Sequence, residues 1–354
     1  MTQNSIRFLT IGRLAVLAVA IFAISTQVIA QDGWTLDARS VPPPAAVSKE
    51  LHDAIAGAPK PDAATQWGMI PDNDDGWRAM QNATAMMPLD PMAEQFGVSV
   101  EKKVIAGVTV FAITPKEPST AHADHVFLHV HGGGYVLGGG NGSATEAIMA
   151  AGTIGMTSIS VDYRMPPDHP FPAAVNDTVT VYKHLLKSHD ANAIVIGGTS
   201  AGGGLAMAAV HRFKELSLDV PGAIYAGTPW ADLTKTGDTL FTNEGLDRVL
   251  VSYDGLLDAA AKLYADGTDL KDPLLSPVYG DFAGFPPTYF VTGTRDMFLS
   301  DTVRTHRKMR AAGVIVDLNV YEGMSHAEYL MVAASPESRD MFTGLGAFLK
   351  QHLP

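Results

Sequence analysis

Between residues 98 and 114 the apolar positions Val98, Val100, Val104, Val108, Val110 and Ile113 lie on either side of Ala106-Gly107, which predicts an antiparallel hairpin. Short apolar runs follow at Val126–Val130, Thr157–Val161, Ala193–Ile196, Gly222–Ala226, Thr288–Thr292 and Val314–Tyr321. Strands buried on both faces read in this way, without polar alternation. Helix-like stretches separate most of them. Leu205 to Leu216 is one, and Asp301 to Ala312 is another, with Gly313 as its stop. The last helix has Ser335 as N-cap and Pro336 as first helical residue, and it places Met341, Leu345, Phe348 and Leu349 on one face. An antiparallel start followed by alternating strands and helices predicts an α/β fold, with a mostly parallel central sheet and helices on both faces.

The segment before the hairpin is different. From Gln31 to Gln95 the chain is rich in Pro, Ala, Asp and Met and contains no strand-like run, so it reads as short helices joined by loops. Its Met and Trp residues (Trp67, Trp77, Met69, Met80, Met86, Met87 and Met92) read first as core. Ahead of it, Arg7 and Arg13 precede an apolar run from Leu14 to Ile24, and Val28-Ile29-Ala30 supplies small or β-branched residues before a cleavage point. A basic stretch, a short apolar run and such a site describe a secretory signal peptide over residues 1–30, cleaved near Ala30. The apolar run would rise only about 16 Å as a helix, roughly half a hydrocarbon core. The expectation is a periplasmic or secreted protein with no stable membrane insertion after cleavage.

Composition narrows the functional classes. The chain has no cysteine, which excludes disulfides, thiolate metal sites and a cysteine nucleophile. Its net charge of −12 argues against nucleic acid, whose phosphates demand clustered Lys and Arg. With 46% hydrophobic and 18% charged residues it is not intrinsically disordered. A small uncharged substrate fits this balance.

Three separated pieces carry candidate chemistry. Gly198-Thr199-Ser200-Ala201-Gly202 matches G-x-S-x-G between a strand and a helix, the setting in which a sharp turn presents a serine hydroxyl. His131-Gly132-Gly133-Gly134 follows the strand Val126–Val130, where glycines let backbone N–H groups approach a developing oxyanion. Neither G-x-x-x-x-G-K-[ST] nor a G-x-G-x-x-G in this stretch supports nucleotide binding. Asp296 and His326 follow two later strands, where open α/β sheets place their sites. The order Ser200, Asp296, His326 is that of an α/β-hydrolase triad. Asp301 is the rival acid, read here as the start of the next helix.

His131-Gly-Gly-Gly, Gly198-Thr-Ser-Ala-Gly and Asp162-Tyr-Arg-Met-Pro-Pro-Asp-His-Pro-Phe-Pro-Ala-Ala174 resemble the hormone-sensitive-lipase-like, or bacterial family IV, esterases. Thr228-Pro-Trp-Ala-Asp-Leu233 and Asp272-Pro-Leu-Leu-Ser-Pro277 agree with it, and Thr199 resembles the subgroup carrying G-T-S-A-G. The resemblance implies an α/β-hydrolase domain over residues 96–354, with a helical cap built from residues 31–95 and from an insertion at about 231–271. It implies carboxylic-ester hydrolysis without a cofactor. Ser200 would be the nucleophile, His326 the base and Asp296 its orienting acid, with N–H groups of Gly132, Gly133 and Ala201 forming the oxyanion hole.

The expected substrates are short- to medium-chain esters, lactones and acetyl esters included. A peptidase or amidase would use the same residues. A non-catalytic ligand-binding protein on this fold is the third reading, and the presence of His326 favours the enzyme over it. His122, Asp124, His125, His129 and His131 crowd together, yet neither H-E-x-x-H nor H-x-H-x-D-H is present, so no metal is expected. Oligomeric state is left open by the sequence, a homodimer included.

Overall fold

The computed structural model describes Gly33 and residues 37–354, and residues 43–354 form one unit. The expected signal peptide and its cleavage point lie outside the described residues.

Eight strands make one sheet: β1 (Val98–Ile105), β2 (Val108–Pro115), β3 (Val126–Val130), β4 (Thr157–Val161), β5 (Ile194–Thr199), β6 (Ala223–Gly227), β7 (Thr288–Gly293) and β8 (Val316–Tyr321). Their order is β1-β2-β4-β3-β5-β6-β7-β8. β2 runs antiparallel to both its neighbours, and every other neighbouring pair is parallel. The β1–β2 hairpin closes at Ala106 (φ 49°) and Gly107 (φ 89°), two left-handed residues whose turn matches the twist of the strands.

β3, β5, β6 and β7 are buried along their whole length because each face meets a different helical layer. Along β3, Val126, Leu128 and Val130 enter one core with Val175, Leu205 and Met309 from the helices Ala173–Leu185, Ala201–Glu215 and Leu299–Ala311. Phe127 enters the other, with Met149 and Leu345 from Thr145–Ile154 and Pro336–His352. The period of two along a strand sends alternate residues to opposite layers. Ser335 caps the last helix by accepting the Ser338 N–H at 3.1 Å.

Several bounds differ from the sequence expectation. β5 continues through Gly197 and Gly198 to Thr199, so the next helix begins at Ala201 rather than Leu205. β8 starts at Val316, and the helix expected from Asp301 begins at Leu299.

Residues 43–97 form four short helices, Lys49–Ala56, Ala63–Trp67, Asp74–Ala85 and Asp90–Gln95. Three methionines of this segment correct the core reading, while Met92 packs against the core. Trp77 is buried, but Met69, Met86 and Met87 are exposed, Met86 at 82%. Met69, Met86 and Met87 lie in the turns and loops that follow the helices Ala63–Trp67 and Asp74–Ala85. Ala63–Trp67 packs beside Tyr253–Leu257 of the segment between β6 and β7. Asp74–Ala85 packs on Gly140–Ala144, where a Cβ on Gly140 would lie 2.6 Å from Ala85 Cα. Among the described residues no helix is long and apolar enough to cross a membrane.

Candidate active site

Ser200 stands between β5 and the helix Ala201–Glu215 with φ 63° and ψ −124°, a conformation costly for a residue with a Cβ. Three backbone bonds hold it there. Its N–H donates to Gly227 O at 2.8 Å, and its C=O accepts from Trp230 N at 2.9 Å and Gly204 N at 3.1 Å. The two motif glycines allow β3 to pass against the turn: a Cβ on Gly198 or Gly202 would sit 1.9 or 2.1 Å from Val130 O.

The loop after β3 lies directly over this turn. A Cβ on Gly132 would be 2.8 Å from Thr199 O and 3.4 Å from Ser200 Cβ. Gly133 (φ 106°) and Gly134 (φ 63°) take left-handed backbone conformations, and Leu137 N–H closes the loop onto Gly133 O at 2.8 Å. His131 anchors its base: the Nδ1–H donates to Gly132 O at 2.7 Å and the ring stacks on Tyr163 at 3.9 Å. Tyr163 donates its hydroxyl to His131 O at 2.9 Å. Burial lowers the His131 pKa to about 3, which keeps the ring neutral at the base of the loop. From the N-terminal segment, Gln81 donates to Val136 O at 2.9 Å and so supports the far side of the loop.

Asp296 and His326 come together at the ends of neighbouring strands. The turn after β7 is closed by Thr294 N–H on Tyr321 O and Arg295 N–H on Met324 O, both at 3.0 Å. Both side chains are buried, and His326 Nδ1–H donates to Asp296 Oδ1 at 3.1 Å. Asp296 is itself fixed by Phe298 N–H at 2.8 Å on Oδ1 and by the Thr292 hydroxyl at 2.8 Å on Oδ2. With Nδ1 committed, Nε2 is the ring nitrogen left to take up a proton. Phe298 packs edge-on against the imidazole at 4.9 Å. The described contacts include no hydrogen bond from Ser200 Oγ to this ring; such bonds often tighten only when substrate is bound.

A family model described as alpha/beta hydrolase fold matches residues 127–330. An acetyl-hydrolase of Streptomyces hygroscopicus is 32% identical over 245 residues, 69% of this chain and 81% of that protein. The crystal structure of an esterase superposes with a TM-score of 0.88 at 46% identity, covering 92% of this chain and all (100%) of that one. An esterase from the bacterial hormone-sensitive lipase family superposes with a TM-score of 0.72 at 32% identity, covering 84% of this chain and 100% of that one. The chain belongs to the hormone-sensitive-lipase-like family of α/β-hydrolases.

Three further features of this α/β-hydrolase complete the site. Asp301, the rival acid, lies in the helix Leu299–Ala311 and accepts the N–H groups of Ala231 (3.1 Å) and Asp232 (3.0 Å). It fastens the start of the insertion rather than the histidine. Asp247, from the middle of the insertion, passed unnoticed in the sequence. It is fully buried, and it accepts Val249 N–H at 2.9 Å, Leu250 N–H at 3.1 Å, Met297 N–H at 2.9 Å and, more loosely, His326 N–H at 3.4 Å. Burial, and then the charge of Asp296, push its pKa up to about 6.

Glu146 was also missed. It is buried behind the serine turn with Thr199, His129, Tyr225 and Tyr329. The clustered histidines go to separate partners. His122 and His125 face each other at 3.2 Å, His129 meets Glu146, and His131 holds the glycine loop. Asp162 accepts Gly140 N–H at 2.8 Å and Arg164 pairs with Asp177 at 2.8 Å, so that sequence stretch ties loops together.

Proposed function

We propose that this protein is a serine carboxylesterase acting on short- to medium-chain uncharged esters through an acyl-enzyme on Ser200. The observation that carries the reading is the buried Asp296–His326 hydrogen bond at 3.1 Å, placed at the end of the same sheet that presents Ser200 in a strained turn. The relatives named esterase and acetyl-hydrolase support the ester-hydrolysing class.

The steps follow from the groups present. Ser200 Oγ adds to the ester carbonyl while His326 Nε2 takes its proton. The tetrahedral oxyanion is met by the N–H groups of Gly132, Gly133 and Ala201, none of which has an acceptor among the described residues. Collapse breaks the bond to the alcohol, which leaves with the proton from His326. Water then attacks the acyl-serine with His326 again as base, releasing the acid and restoring Ser200. Asp296 holds the ring and stabilises its cation throughout. The segments 31–95 and 231–271 would form the cap over this site, a role supported by the packing of Ala63–Trp67 against Tyr253–Leu257.

The test is turnover of p-nitrophenyl esters from acetate to palmitate by the chain and by Ser200→Ala. Turnover of the short esters by the first and not the second is expected. Equal inactivity of both on every ester would remove the esterase reading. Export, with cleavage near Ala30, is proposed on the N-terminal sequence alone and is read by mass spectrometry of the mature N-terminus.

A further inference from the structure

Behind the serine turn lies a buried polar assembly that the reaction itself does not use. β3 pairs with β5 only as far as His129–Gly197, because the chain then leaves for the glycine loop. The backbone of Thr199 is thereby deprived of a strand partner on that side. Glu146, in the first turn of the helix Thr145–Ile154, fills the gap: Oε2 accepts Thr199 N–H at 3.1 Å and Oε1 accepts the Thr199 hydroxyl at 2.5 Å.

The Thr199 hydroxyl donates to Glu146 and so accepts from the phenols beside it, Tyr329 at 2.7 Å and Tyr225 at 3.0 Å, which also lie 3.0 Å from each other and share two O–H protons among these three contacts. Gly227 leaves the room for this meeting, since a Cβ there would lie 2.1 Å from Tyr329 OH and 2.6 Å from Thr199 Oγ1. On the far side, Ser160 donates to the carbonyl of Ser143 at 2.6 Å and must therefore accept from His129 Nδ1–H at 2.8 Å. The other ring nitrogen, His129 Nε2, lies 3.1 Å from Glu146 Oε2, so the imidazole bridges Ser160 and the carboxylate.

We propose that Glu146 positions Ser200 through Thr199, and that its buried carboxylate is what requires a hydroxyl, rather than a second carboxylate, at residue 199. The inference rests on Ser200 being the nucleophile. Ser200 occupies a conformation its own backbone disfavours, so the residue before it has to be held from outside. Thr199 is held at both its N–H and its hydroxyl by one carboxylate, and Tyr329 links the same hydroxyl to the loop that follows His326. An aspartate at 199 would put a second buried acid against Glu146, and two carboxyl groups in contact there cannot both ionise. Exchanging the roles, with Glu146→Gln and Thr199→Asp together, keeps the net charge. It also restores each bond: the amide oxygen accepts residue 199 N–H and His129, and the amide NH₂ donates to the new carboxylate.

The test measures kcat and KM on p-nitrophenyl butyrate for Thr199→Val, Thr199→Ser, Thr199→Asp and the Glu146→Gln/Thr199→Asp pair, per site titrated with a fluorophosphonate so that only folded sites count. Thr199→Val should lower kcat by about 10- to 100-fold with KM within about threefold, the size of effect expected from a slightly misplaced reacting group. Thr199→Ser should stay within about threefold of the parent, and Thr199→Asp should fall by about 100-fold or more. The paired exchange should recover at least about tenfold over Thr199→Asp. Parental kcat in Thr199→Val or Thr199→Asp, or a pair no faster than Thr199→Asp, overturns the proposal while Ser200→Ala is inactive. An active Ser200→Ala removes the nucleophile assignment itself, and the proposal with it.

Discussion

The carboxylate of Asp247 accepts the N–H of Met297 at 2.9 Å, so the segment between β6 and β7 grips the residue that follows Asp296. Three other backbone N–H groups, that of His326 among them, point at the same carboxylate. The insertion thereby braces both loops that meet at the Asp296–His326 bond.

A titration consequence follows from this burial. The folded-state pKa of Asp247 is raised to about 6 from 3.8, first by desolvation and then by Asp296. A raised folded pKa gives stability that is present at low pH and lost as pH rises through about 6. The Asp247→Asn variant has no such term. Between pH 7.5 and 4.5 the parent should therefore gain about 2 kcal/mol relative to the variant. Urea unfolding of both proteins at the two pH values checks this, and a pH-independent difference would count against it.

The tight crossing of β3 over the serine turn gives a second expectation. Gly202→Ala places a Cβ 2.1 Å from Val130 O, a backbone atom that can yield only if the strand shifts. Gly198→Ala is tighter still, at 1.9 Å. Each should lose on the order of 3 kcal/mol or fail to fold. Denaturant midpoints of these variants beside that of Gly245→Ala, whose Cβ would meet open space but whose φ of +67° is mildly strained, separate close approach from backbone conformation.

Much of this arrangement was legible in the chain, for identifiable reasons. Val126–Val130 and Thr157–Val161 were read with their observed bounds; the first is buried at every position, and the second keeps Ile159 and Val161 among β-branched and small residues that suit a strand. The Ala106-Gly107 turn was legible from its residue types. β5 was read short because Gly197 and Gly198 have weak strand preference, although close packing against Tyr225 and Val130 demands them there. Asp247 and Glu146 were invisible: their partners His326 and Thr199 lie 79 and 53 residues away, and nothing local distinguishes a buried carboxylate from a solvated one.

The glycine loop predicts a change in rate more than in binding. Gly133 has φ 106°, and a Cβ there would fall 2.3 Å from Leu137 O, so Gly133→Ala must displace the loop and its N–H groups. Steady-state kinetics should show kcat reduced by about 10²–10³-fold, the usual effect of losing an oxyanion donor. An unchanged kcat would remove Gly133 from that role.

The acid can be tested without disturbing shape. Asp296→Asn keeps the size of the side chain but presents either a neutral oxygen or an NH₂ group to His326 Nδ1, whose N–H donates to Oδ1 in the parent. Loss of the correct tautomer should lower kcat by about 10⁴-fold. Asp301→Asn, whose parent carboxylate binds Ala231 and Asp232 instead, should act chiefly on stability. If Asp301→Asn were the inactive variant with a folded melt and Asp296→Asn the active one, the two assignments would have to be exchanged.

The most direct test of the central claim is peptide mapping by mass spectrometry after reaction with a fluorophosphonate, alongside loss of p-nitrophenyl butyrate turnover. One adduct per chain on Ser200, formed in step with the loss of turnover and absent from His326→Ala, is the expected result. Full modification of Ser200 with turnover intact, or inactivation with the adduct on another residue, would contradict the account.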